Sequence, residues 1–181
     1  MSYCSEAPLL DTHRDYHARE HGFPLRREDA LFERLALEIN QAGLSWLTVL
    51  KKREGFRAAF HRFDVERVAR YGRRDRERLL ADPGIVRNRL KIEAVIANAG
   101  RLLALRRSHG SFARWLDLHH PLPRADWVKL FRKTFVFTGG EITGEFLMSV
   151  GYLRGAHTPD CPVYEKVLRR RPPWARAGNE G

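Results

Sequence analysis

Residues 31–54 read LFERLALEINQAGLSWLTVLKKRE, and the reading of this stretch decides the fold. At 100° per residue its first half is an amphipathic helix, with Leu31, Leu35 and Ala42 on one face. Glu38 stands in the middle of that apolar face, three residues after Leu35 and eight before Trp46. A Gly43-Leu44-Ser45 break then separates this helix from a second one. A carboxylate aimed where a core should lie has two readings. It is a buried ion pair with one of the many arginines, or it lines a pocket.

Working outward, the 181 residues suit one domain, or one domain with a small lobe, and 43% hydrophobic content is enough for a core. No apolar run approaches the roughly 18 residues of a membrane span. The start, MSYCSEAPLLDTHRD, lacks a basic-then-apolar signal pattern, so a cytoplasmic protein is expected. Lys and Arg number 33 against 22 Asp and Glu, a formal net charge of +11. That excess suits a polyanion, most simply nucleic acid. The alternative is an Arg-rich surface that reflects genome composition alone. With two cysteines, Cys4 and Cys161, and a cytoplasmic setting, no disulfide is expected.

Helical periodicity dominates, and an all-α domain is expected over residues 1–168. The segments are roughly 27–42, 45–62, 64–71, 74–81, 86–107, 111–117, 125–133, 141–151 and 162–169. Ile92, Val95, Ile96, Ala99, Leu102 and Leu103 make the clearest stripe, after the Asp82-Pro83-Gly84 punctuation. From Arg169 the tail RRRPPWARAGNEG is basic and rich in Pro and Gly, and residues 169–181 are expected to be frayed or disordered.

Soft metal ligands sit near both ends. Cys4 precedes His17 by 13 residues, and His157 and Cys161 form an H-x₃-C pair. Two Cys and two His make a closed tetrahedral set, which is a structural zinc rather than a catalytic one. Spacing alone leaves open the alternative of two buried thiols and two surface histidines.

Residues 129–151, KLFRKTFVFTGGEITGEFLMSVG, read as helix, turn, helix. Thr138 is a candidate N-cap, with Glu141 at capping-box offset. Backbone N–H groups at Gly139 and Gly140 would form an anion site, with Lys129, Arg132 and Lys133 just before it. This resembles the helix-hairpin-helix element that holds a DNA phosphate without reading sequence. An ordinary αα-turn with glycines for close packing is the alternative.

Together, Glu38, QAGLSW at 41–46, Cys4, Tyr16-His17, DPGIVRNRLKI at 82–92 and GYLRGAHTPDC at 151–161 resemble the DNA-3-methyladenine glycosylase I family. The resemblance runs from about residue 2 to 165. It implies a helix-hairpin-helix glycosylase fold whose termini are tied by one structural zinc on Cys4, His17, His157 and Cys161. It further implies a monomer that removes 3-methyladenine from alkylated double-stranded DNA in the nucleoid. The family's base-recognition glutamate falls on Glu38, its pocket aromatics on Tyr16 and Trp46, and its DNA wedge on Gly43 and Leu44. Glu38 is then the only strong candidate for a catalytic role. The Asp that larger relatives of this fold carry after the hairpin has no counterpart in GYLRGAH. With no well-placed nucleophilic amine, no lyase step is expected. Lys91 and Lys133 read as phosphate contacts, with Arg87 and Arg89 beside them.

The sequence also departs from the family pattern. Glu6 stands where an aromatic is usual, so one pocket wall is either missing or supplied by Tyr3. Ala18 and His21 occupy a segment usually richer in acids and Trp, and Glu141 replaces a Thr in the hairpin. These changes leave room for a zinc-stabilised module that binds damaged DNA without turnover, or for a shifted alkyl-base preference.

Overall fold

The computed structural model describes residues 3–176, and every regular element among them is helical. The amino-terminal part comprises α1 (Tyr3–Glu6), a 3-10 turn (Ala7–Leu9), α2 (Asp11–Arg19), α3 (Glu28–Gln41), α4 (Trp46–Lys51), α5 (Arg53–Ala59) and a 3-10 turn (His61–Phe63). Then follow α6 (Val65–Ala69), α7 (Arg73–Ala81), α8 (Arg89–His109), α9 (Phe112–His119), α10 (Arg124–Thr134), α11 (Gly140–Ser149), α12 (Tyr164–Arg169) and α13 (Pro173–Arg176).

The opening stretch builds the centre of the molecule. On α3 every residue from Leu31 to Asn40 is buried, and the helix packs against α4, α8, α9 and α11. A helix enclosed on all sides must satisfy its polar groups internally. Two of its charged residues do so conventionally. Glu33 is paired with Arg53 and Arg57, and Arg34 with Glu20. Behind α3, an aromatic cluster of Phe112, Trp115, Phe131, Phe135 and Phe146 locks α9, α10 and α11 together.

Side-chain caps fix several boundaries. Ser45 accepts from the Thr48 N–H and opens α4, while Asn88 accepts from the Lys91 N–H. That cap starts α8 at Arg89 rather than at 86. The expected helix over 45–62 is broken into α4, α5 and a 3-10 turn. The cause is a close backbone approach: a Cβ on Gly55 would lie 2.2 Å from the Gly84 carbonyl oxygen, and Lys52 Nζ donates to the Pro83 carbonyl at 2.7 Å. α5 thus rests against this Asp82–Gly84 loop.

Two further expectations change. The segment from Tyr3 to Arg19 is helical, although its sequence carries no apolar stripe. The tail expected to fray from Arg169 is held as far as Arg176. The Trp174 N–H donates to the Gly151 carbonyl at 3.2 Å, and the Arg154 guanidinium lies 4.8 Å from the centre of the Trp174 ring. A tryptophan anchor thus overrides the Pro-rich composition. The remainder of that tail, 177–181, lies outside the described residues.

Candidate active site and metal cluster

The break after α3 is a tight, well-tied turn. The Leu44 N–H donates to the Gln41 carbonyl at 2.7 Å, and Gln41 Nε2 returns to the Leu44 carbonyl at 2.9 Å. Gly43 adopts φ +77° with no heavy atom within 4 Å of where a Cβ would sit, so the turn needs glycine for its backbone and leaves open space above it. Leu44 is 38% exposed beside it. The wedge expected at Gly43 and Leu44 therefore projects outward. Lys91, expected as a phosphate contact, does something else. It is buried, and its ammonium donates to the Asn40 and Ala42 carbonyls at the end of α3. Its charge satisfies the orphan carbonyls and the negative end of that helix.

Immediately inside the turn lies a cavity of about 290 Å³, lined by Tyr3, Tyr16, Gln41, Trp46 and Met148, with Glu38 and Glu145 as its carboxylates. The sequence stretch around Glu38 thus forms the pocket floor and one wall. Trp46 meets Tyr16 edge-on, with centroids 5.2 Å apart. One face of Tyr16 is covered by the Arg34 guanidinium at 4.8 Å, and the buried Tyr16 hydroxyl has no hydrogen-bond partner. Tyr16 therefore offers an unsatisfied hydroxyl as well as a ring. Tyr3 stands in the pocket wall, the second of the two alternatives left by the departure at Glu6, and Glu6 itself is exposed.

Glu38 behaves unlike Glu33. It is 5% exposed and makes no hydrogen bond or ion pair among the described residues. The cation whose charge reaches it, Arg34, is committed to the Ser149 carbonyl and to Glu20. The buried ion-pair reading is thereby set aside. Burial pushes the Glu38 carboxyl up from 4.5 to about 8; Arg34 opposes the shift and Glu145 adds to it. The groups facing Glu38 are thus Arg34 on its own helix, Tyr3 and Tyr16 from α1 and α2, and Glu145 from α11.

The sign of the consequence follows by linkage. The folded state holds the extra proton between the ordinary value of 4.5 and about 8, so the Glu38 contribution to stability falls as pH rises through that window. Glu38→Gln lacks this titration. The melting temperature of the Gln variant is expected to gain on wild type from pH 5 to pH 9, by an amount equivalent to a few kcal/mol. Parallel melting profiles would show that Glu38 is not a buried, unpaired acid.

Behind the pocket, Cys4, His17, His157 and Cys161 present ligand atoms that all lie within 4.8 Å of one another. Cys161 Sγ is 3.6 Å from both His17 Nε2 and His157 Nδ1, and Cys4 Sγ is 3.7 Å from His157 Nδ1. Tetrahedral zinc bonds of about 2.3 Å to sulfur and 2.0 Å to nitrogen place S and N roughly 3.5 Å apart, so the donor set fits. His157 Nε2 lies 2.7 Å from the His21 carbonyl oxygen, a hydrogen bond that turns Nδ1 toward the cluster. Burial also lowers the pKa of His17 and His157, which keeps the rings neutral as metal ligation requires. Cys4 and His21 belong to the pocket wall as well, so cluster and cavity share a boundary.

The turn between α10 and α11 differs in detail from its sequence reading. Thr138 is buried and is not the N-cap; Gly139 is, without a side-chain cap. The cause is local. The Thr138 carbonyl, not its hydroxyl, faces the helix and accepts from Thr143 Oγ1. Gly139 and Gly140 are half-buried at the helix start, Lys133 and Arg132 are exposed, and Lys129 is paired with Asp126. Glu141 is exposed and paired with Arg124, outside the pocket. The pocket carboxylate that sequence reasoning missed is Glu145, one turn further on. Its signal was a charge flanked by the buried Thr143, Gly144, Phe146 and Leu147.

Comparison with known proteins places this architecture. A family model described as methyladenine glycosylase matches residues 6–123. The DNA-3-methyladenine glycosylase of Haemophilus influenzae is 35% identical over 167 residues, covering 82% of this chain and 90% of that protein. DNA-3-methyladenine glycosylase 1 of Escherichia coli is 47% identical over 168 residues, covering 82% and 89%. A solved structure of 3-methyladenine DNA glycosylase I from Staphylococcus aureus, described for its recognition of 3-methyladenine, superposes with a TM-score of 0.81 at 32% identity. It covers 89% of this chain and 95% of that one. With the fold in agreement and 82% of the chain aligned to each relative, the chain belongs to the methyladenine glycosylase family.

Proposed function

We propose that the protein is a monofunctional glycosylase that flips an alkylated base from duplex DNA and releases 3-methyladenine by hydrolysis. The observation that carries this reading is the unpaired, buried Glu38 beside Tyr16 and Trp46 in a cavity of about 290 Å³, at the small end of small-molecule pockets. A base cannot be processed inside the stack, so it must be extruded at a cost of a few kcal/mol. Leu44, on its tied and exposed turn, would fill the gap. Trp46 and Tyr16 supply π-faces that favour a cationic purine over a neutral one. Glu38 accepts from the exocyclic amine and complements the positive charge, and the free Tyr16 hydroxyl supplies a further polar contact.

The reaction demands little more. The alkylated nucleoside carries a positive charge, so the glycosidic C1′–N9 bond breaks with its electron pair moving to the base, which leaves neutral. Water adds to C1′ and loses a proton to solvent. Selective binding and electrostatics carry the catalysis, with no covalent intermediate on the enzyme.

The fit of the donor set supports the reading that Cys4, His17, His157 and Cys161 would hold one structural zinc. All four positions would be protein-filled, so the metal would supply folding energy and no reaction chemistry. That metal would tie α1, α2 and the 155–161 loop together, and with them Tyr3 and Tyr16 in the pocket wall.

DNA is gripped by the first-turn N–H groups of α11 at Gly139 and Gly140, helped by Lys133, Arg87 and Arg89; the buried Thr138 takes part only through its backbone. Affinity for undamaged duplex is expected to fall linearly in log–log with salt, by a slope of about −0.9 per neutralised phosphate. Salt-independent affinity would reduce the +11 charge to surface composition. Turnover is tested by strand breakage: methylated duplex treated with the protein should break only after alkali, at the abasic sites left behind. Breakage without alkali would reveal a lyase, and retention of the DNA with no breakage a binding module.

A further inference from the structure

The wedge turn has a neighbour whose role the pocket does not explain. Lys91 ties the end of α3 to the start of α8, through its bonds to the Asn40 and Ala42 carbonyls. The α8 start therefore lies within one lysine side chain of Gly43 and Leu44. Its residue 90 is a leucine left 69% exposed, in the first turn of an otherwise well-buried helix. Single exposed leucines are common and mean little by themselves. This one is flanked by Arg87 and Arg89, both exposed and both without an acidic partner among the described residues. In contrast, Arg53, Arg57, Arg76 and Arg106 are all paired with carboxylates. An apolar tip between two free cations, anchored to a second apolar tip, has the chemistry of an edge that enters a nucleic-acid duplex.

We propose that Leu90 is a second DNA-inserting residue, which presses on the base stack beside the site that Leu44 fills, with Lys91 locking the two leucines on one edge. The proposal rests on the glycosylase reading above. Leu44 offers one side chain to the gap left by the extruded nucleotide. Leu90 shields the adjacent, partly unstacked bases from water, and Arg87 and Arg89 hold the phosphates on either side. The effect is confined to paired DNA, because a single strand has no stack to open.

The test compares single-turnover base release from methylated duplex and from methylated single strands, for wild type, Leu44→Ala, Leu90→Ala and Leu90→Met. Leu90→Ala is expected to melt like wild type and to slow duplex release about five- to twentyfold, as loss of one stack-opening contact would. It should leave single-strand release unchanged, and Leu90→Met should retain most of the duplex rate. If Leu44→Ala is slow on duplex and Leu90→Ala is not, Leu90 has no such role while the glycosylase reading stands. If Leu90→Ala slows both substrates equally, its effect is not on duplex opening, and the proposal is overturned. If wild type releases no base from either substrate, the glycosylase reading fails and takes this proposal with it.

Discussion

Glu38→Gln is expected to fold at least as well as wild type and to lose ten- to a thousandfold in excision of 3-methyladenine, the range for one or two charge-assisted hydrogen bonds. The two halves of this expectation come from separate observations. The fold should tolerate the change because Glu38 has no protein partner to strand, whereas truncating a paired carboxylate such as Glu33 would cost about 3–5 kcal/mol by leaving arginines unmatched. Activity should not tolerate it because the amide keeps the shape and one acceptor but cannot ionise. In the empty pocket Glu38 is protonated through neutral pH, its carboxyl being raised to about 8. A bound cationic purine would supply the missing counter-charge and draw the group into its ionised form. A neutral adenine could not, so the same residue that recognises the damage rejects the undamaged base. Non-specific DNA affinity should hardly change. Melting and single-turnover release, measured on the same preparations, separate the two halves; a Gln variant that melts normally and excises at the wild-type rate removes Glu38 from recognition.

Loss of the metal should be as damaging by a different route. Wild type is expected to contain one zinc per chain by elemental analysis. Cys161→Ala should lose it and with it at least about 3 kcal/mol of stability, a drop of roughly 6–12 °C in melting temperature for a chain of this size. The large core around α3 does not touch the cluster and should survive. The pocket should not, because Cys4 and His21 line it and His157 is bonded to the His21 carbonyl. Binding of free 3-methyladenine should therefore fall together with the metal, while far-ultraviolet helicity falls only slightly. A metal-free wild type that keeps full stability and base binding in chelator would show that the four ligands are a packing cluster.

The parts of this site legible in the sequence are those where a residue breaks its own local pattern. Glu38 interrupts an apolar stripe, Gly43 interrupts a helix, and His157 and Cys161 sit at ligand spacing; the fold buries the first, ends α3 beside the second and brings the last two together. The helices between Tyr3 and Arg19 left no such trace. They pack against a cavity and a polar cluster, so α2 buries only Tyr16 and His17 and shows no apolar face. Lys91 was misread for the converse reason. A lysine reads as a surface cation, and only the tertiary fold shows that its charge faces the carbonyl end of α3. Trp174 was hidden by the Pro and Arg around it, and Glu145 by a helix in which an acid on a solvent face reads the same as an acid in a pocket.

This pocket is expected to release an alkylated base rather than merely hold it. Duplex DNA carrying radiolabelled methyl groups, incubated with excess wild-type protein and chromatographed, tests that expectation most directly. Free 3-methyladenine should appear in the soluble fraction in a single exponential, well above the spontaneous rate of the DNA alone. Label that stays in the DNA at the spontaneous rate, while the protein remains bound, would contradict it.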